Sequence, residues 1–187
     1  MAPLELVAAV FGVVAVYLST RENILSWPTA LVNVGLYGIV FYHARLYADM
    51  GLQAVYFLLS LYGWYEWNFG GADRTSLRVS RAGLRLWALL GVIHVAVWVS
   101  LGLLLSRTTD AAIPWLDSFL TTGSLVAQWM MTRKILENWA LWIALDLLYV
   151  PMFISRGLYA TAALYAVFLV LAVLGWRDWK RSLTAAT

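Results

Sequence analysis

Gly63-Trp64-Tyr65-Glu66-Trp67 returns 112 residues later as Gly175-Trp176-Arg177-Asp178-Trp179. The same offset carries Trp27 to Trp139, Tyr37 to Tyr149, Phe41 to Phe153, and Leu46-Tyr47-Ala48 to Leu158-Tyr159-Ala160. Leu4–Trp67 against Leu116–Trp179 gives 19 identities in 64 ungapped positions. A repeat of that length inside an apolar chain marks a membrane transporter built from two structural copies.

Composition points the same way. The 187 residues are 63% hydrophobic and 12% charged, with a mean hydropathy of +0.76. Soluble domains carry about 25% charged residues, so half the usual charge is missing and lipid is the expected solvent. A net charge of +3 and a pI near 9.3 would hint at nucleic acid in a soluble protein. Here the basic residues fall in loops, where they orient a chain in a bilayer, so no nucleic-acid partner is expected. Cysteine is absent, which excludes disulfides and thiolate chemistry. The two histidines, His43 and His94, lack ligand-like spacing, and neither a metal nor another cofactor is expected. No Lys or Arg precedes the first apolar run, which reads as a retained span rather than a cleavable signal.

A helix needs about 20 apolar residues to cross the hydrocarbon core. Seven stretches qualify, at about 3–20, 27–43, 48–69, 84–105, 114–132, 138–155 and 157–177. They form one transmembrane domain: repeat one over 4–67, a linking helix over about 84–105, and repeat two over 116–179. Loops on one side would hold Arg45, Arg107 and Arg156. The other side would hold Arg21, Arg74, Arg78, Arg81, Arg85, Arg133, Lys134, Arg177, Lys180 and Arg181. The richer side faces the cytoplasm, so the N-terminus is expected outside and the C-terminus inside. Three crossings and one linking helix return the second copy to the first copy's direction. The expected fold is therefore all-α, with 3+1+3 parallel repeats about a pseudo-two-fold, as in the sugar carriers called SWEETs.

The densest candidate site is on the sixth span. Trp139, Trp142, Asp146 and Tyr149 fall within roughly 80° of one another on a helical wheel. A charge at mid-span costs at least ~2.5–3.5 kcal/mol, so Asp146 must be paired, face water or meet a cation. Bonding to a neighbouring helix as structural glue is the other reading, and Trp139 could equally be an interfacial anchor. The fifth span adds Thr121, Ser124, Gln128 and Thr132, opposite Ala9, Gly12, Val16 and Thr20 in the first copy. Asp146 itself matches Val34. The second copy thus carries polar groups where the first is apolar, which one asymmetric ligand on the pseudo-axis would require. Serine and threonine can instead bond back to their own helix, the simpler reading for Thr132. The first copy offers Asn33, Tyr37, Gln53 and Tyr56. Trp64 and Trp176 are read as lining the cavity, whereas Trp67 and Trp179 are read as belt residues. Glu66 and Asp178 are expected to pair with loop arginines, and His94 and Trp98 to pack in the core.

Two strings carry a family resemblance. One is Trp27-Pro28 through Leu46-Tyr47-Ala48-Asp49, with Leu52-Gln53 and Gly63-Trp64-Tyr65-Glu66-Trp67. The other is Asn138-Trp139-x-x-Trp142-x-x-x-Asp146-x-x-Tyr149, followed by Gly175-Trp176-x-x-Trp179. Together they resemble the PnuC family of vitamin transporters over nearly the whole chain. The resemblance implies a bacterial inner-membrane homotrimer that passes nicotinamide riboside by facilitated diffusion, drawn forward by cytoplasmic phosphorylation. Related members carry thiamine or riboflavin. The residue chemistry agrees: aromatic faces and Asp146 suit a pyridinium cation, while Asn33, Gln53 and Gln128 suit ribose hydroxyls and the amide. Thiamine, also a cation, fits this argument better than neutral riboflavin.

Other classes fare worse. A retinal photoreceptor needs a lysine inside its last helix, but Lys134 and Lys180 both sit at the span edges. An enzyme needs a nucleophile–base, metal or paired-carboxylate centre, and none is visible. A channel or a non-transporting membrane subunit stays open, although no ring of like charges is evident.

Overall fold

The computed structural model describes residues 2–43, 47–109 and 113–185. Arg45, Leu46 and Asp110, which the sequence assigns to loops between spans, lie outside them. Seven helices follow in chain order: α1 (Ala2–Thr20), α2 (Ser26–His43), α3 (Tyr47–Phe69), α4 (Leu84–Thr108), α5 (Pro114–Thr132), α6 (Asn138–Ser155) and α7 (Tyr159–Ala185). Four of them, α1, α4, α6 and α7, are long and apolar enough to cross a membrane by length and composition alone. The remaining three are the helices in which the sequence places Asn33, Gln53, Thr121, Ser124 and Gln128.

Local signals set the helix ends. Pro114 opens α5, where its fixed φ suits a first helical turn and its missing N–H is no loss. Gly157, at φ 72°, ends the turn after α6. Glu22 and Lys134 take up left-handed backbone, at φ 52° and 48°, at matching positions just past α1 and α5. α7 runs beyond the expected limit of residue 177 because its last turns are amphipathic. Leu183 packs on the core there while Lys180 and Arg181 face outward.

Within each half neighbouring helices pack in order, α1 on α2 on α3 and α5 on α6 on α7. The halves meet where α1 packs on α7 and α3 on α5, closing a ring; α4 lies outside it against α5. At one end the ring is plugged by tryptophan. Trp27 meets Trp67 edge-on at 5.3 Å, and Trp139 meets Trp179 edge-on at 5.5 Å. Trp67 and Trp179 then touch each other at 5.8 Å. The indole N–H of Trp67 donates to the Met131 carbonyl across the halves, at 3.1 Å. Its counterpart in Trp179 donates to the Ser19 carbonyl, at 2.9 Å. These two are therefore interior bonding groups, not belt residues: Trp67 is 3% exposed and Trp179 0%.

Charged groups repeat the same reciprocity. Arg133 pairs with Glu66 at 2.7 Å and Arg21 with Asp178 at 3.5 Å. Lys134 pairs with Glu22 at 3.0 Å and sits 4.6 Å over the Trp67 ring. Residues 70–83 cross this end as an extended strap after a single 3-10 turn at Ala72–Arg74. Ser80 donates its N–H to the Lys134 carbonyl and accepts from the N–H of Leu136; Val79 is buried beneath.

Candidate substrate cavity

Above the tryptophan plug lies a cavity of about 670 Å³, lined by all three helices of each half and by no residue of α4. That volume is in the usual range for a site enclosing a small organic molecule. Its floor is Trp27 and Trp139, held down by close helix approach. A Cβ at Gly63 would strike the Trp27 indole, and one at Gly175 the Trp139 indole. The indole N–H groups of Trp27, Trp139 and Trp142 are buried with no partner in the protein among the described residues. Buried donors are ordinarily satisfied, so three unspent ones around one cavity are available to a guest.

The walls divide by chemistry. One is polar: Gln53, Tyr56 and Ser60 of α3, Thr121, Ser124 and Gln128 of α5, and Asp146 of α6. Tyr56 and Ser124 bond at 2.7 Å across the halves. Ser124 gives its own proton to the Thr121 carbonyl at 2.8 Å, so Tyr56 is the donor. Another part of the lining is aromatic. Tyr165 of α7 packs on Tyr149 at 4.8 Å and on Phe153 at 4.9 Å, and Phe168 meets Tyr165 at 5.7 Å. Tyr37 stacks on Phe41 at 5.8 Å, matching the Tyr149–Phe153 stack at 5.7 Å.

Asp146 is 2% exposed and lines this space with no ion pair to any described residue. Among the described residues the lining holds no Lys, Arg or His, and Asp146 is its buried carboxylate, Asp117 being exposed. A buried carboxylate without a basic partner favours a cationic guest.

Asn33, Tyr37, Gln53, Tyr56, Gln128, Trp139, Trp142, Asp146 and Tyr149, all singled out from sequence, line the cavity, as do Thr121 and Ser124 but not Thr132. Asn33 does so with one of its two amide N–H groups given to the Ala8 carbonyl at 2.6 Å, which leaves the other N–H and the oxygen to face a guest. Trp64 and Trp176 are placed elsewhere. Trp64 points outward, 38% exposed, into a shallow groove with Leu61, Tyr65, Asn68 and Phe69, and Trp176 packs behind the tryptophan plug. Each directly follows a glycine that meets the cavity floor, and so is turned about 100° around its helix from that face. Trp27, Ser60, Asp117 and Tyr165 line the cavity without having been singled out. Two were available from the repeat, since Trp27 is the partner position of Trp139 and Tyr165 that of Gln53.

A family model described as nicotinamide mononucleotide transporter matches residues 2–181. The chain belongs to this family, the PnuC transporters. It is 29% identical over 204 residues to the nicotinamide riboside transporter PnuC of Escherichia coli, covering 96% of this chain and 85% of that one. It is 28% identical to the riboflavin/roseoflavin transporter RibM of Streptomyces davaonensis, covering 94% and 83%. A crystal structure of the vitamin B3 transporter PnuC superposes with a TM-score of 0.77 at 26% identity, over 98% of this chain and 83% of that one. The protein is thus a multi-pass membrane vitamin transporter and not an enzyme.

Proposed function

We propose that this chain carries nicotinamide riboside by facilitated diffusion across a bacterial inner membrane. The observation that supports this substrate is the buried Asp146 carboxylate in a cavity whose described lining holds no basic side chain. A pyridinium ring against Trp139, Trp142 and Tyr149 would gain ~2 kcal/mol or more once desolvated. Asp146 would balance its charge, while Gln53 and Gln128, neither bonded to another described side chain, would meet the ribose and the amide. Facilitated diffusion fits a lining with no basic member to alternate with its acids. Cytoplasmic phosphorylation would trap the product and draw uptake forward.

The same reading puts the tryptophan plug and the strap on the cytoplasmic side, by the 3-versus-10 division of basic residues. It takes the halves as parallel repeats with the N-terminus outside. We also infer a homotrimer, for which α4, packed chiefly on α5, leaves an apolar face free; mass photometry in detergent tests that.

Riboflavin is the second reading, favoured over thiamine by the similarity to RibM. A thermal-shift panel of nicotinamide riboside, thiamine and riboflavin decides, because a ligand of the folded state raises its melting point. Stabilisation by the riboside is the expected outcome; stabilisation by riboflavin alone overturns the assignment.

A further inference from the structure

The end of the molecule closed by tryptophan holds more cations than it can pair. Its acidic groups other than Asp73 are spent: Glu22 on Lys134, Glu66 on Arg133, Asp178 on Arg21 and Arg177, and Glu137 on the backbone N–H of Ala82. Arg74, Arg78, Arg81, Arg85, Lys180 and Arg181 remain, all exposed and in no ion pair among the described residues. Asp73 is the one other carboxylate in the strap, and Arg78, Arg81 and Arg85 lie beyond it along the chain.

These arginines are presented on an anchored support. Leu77 donates its N–H to the Trp67 carbonyl at 3.2 Å, Ser80 to the Lys134 carbonyl at 3.0 Å, and Ala82 to the Glu137 carboxylate at 3.0 Å. Leu77 and Val79 pack inward on the tryptophan cluster, and Arg78 and Arg81 are left facing out. Leu84 follows at the start of α4, 86% exposed, with Arg85 beside it. An isolated row of arginines would suit any anion. A bare leucine in its midst suits a partner with an apolar layer behind its charge, which is a lipid leaflet.

We propose that Arg78, Arg81 and Arg85, with Leu84 between them, form a docking surface for anionic phospholipid headgroups. The proposal rests on the cytoplasmic placement of the strap given above. Anchoring lipid there would brace the strap over the plug, so its occupancy is read as stability of the whole chain.

The purified full chain is melted in nanodiscs of phosphatidylglycerol and of phosphatidylcholine. The wild type is expected to melt roughly 3 °C or more higher in phosphatidylglycerol. The R78Q/R81Q/R85Q variant loses most of that difference, and R78K/R81K/R85K keeps it. Should the triple glutamine variant fail to fold, R78Q and R81Q singly are each expected to lose a part of it. An equal increment in wild type and glutamine variants overturns the proposal. So does an equal increment from inorganic phosphate added to phosphatidylcholine discs, which would mean a site for soluble anions. The shift produced by nicotinamide riboside is measured alongside in phosphatidylcholine. Its persistence without lipid preference sinks the docking surface alone, and its absence with lipid preference sinks the substrate assignment alone.

Discussion

On the proposed reading, the Asp146 carboxylate is what favours a cationic guest. Replacing it by Asn keeps the shape and removes the charge, so riboside affinity should fall at least tenfold, about 1.4 kcal/mol. Trp142→Ala should cost a similar amount by removing an aromatic face. Calorimetry in detergent reads both, and unchanged affinity in the two variants would take α6 out of the site. Gly63 makes a different kind of prediction. Gly63→Ala forces a Cβ into the Trp27 ring, whereas Gly35→Ala meets nothing within 4 Å. The first should destabilise by about 1–3 kcal/mol and the second by less than ~0.5, read from melting curves. At this scale the sequence was legible where two signals agreed. The Trp139–Tyr149 stripe combined helical spacing with a mid-span charge, and all four residues line the cavity. Trp64 and Trp176 failed because conservation of type between the copies says nothing about which side of a helix faces inward. The small residue next door, Gly63 or Gly175, carries that information.

At the scale of elements, the seven helices were legible from apolar length, and four of them are long and apolar enough to cross a membrane. The strap was not. Residues 70–83 read as a loop, and their backbone bonds to the α5–α6 turn depend on a partner 55 residues away in sequence, as with Ala82 and Glu137. The turn itself gives a test of how the halves are held. Lys134→Glu alone places two carboxylates together and should lower stability. Combining it with Glu22→Lys restores an opposite-sign pair. A double-mutant cycle should return a coupling of about 1–2 kcal/mol; additive losses would mean the ion pair is incidental to the junction.

For the molecule as a whole, the lining offers, among the described residues, no acid–base pair through which a co-transported proton could be handed on, and uptake should need no ion gradient. Proteoliposomes with riboside should equilibrate at the same rate with and without a protonophore; abolished uptake would contradict uncoupled transport. One arrangement carries a further meaning. Trp67 to Met131 and Trp179 to Ser19 are the same handshake given twice, the pattern by which identical subunits clasp. Two separate copies of one three-helix subunit would carry an aspartate at both copies of a given position or at neither. Joining the copies in a single polypeptide removes that rule, and Asp146, whose counterpart in the first copy is Val34, is the single occupancy it permits.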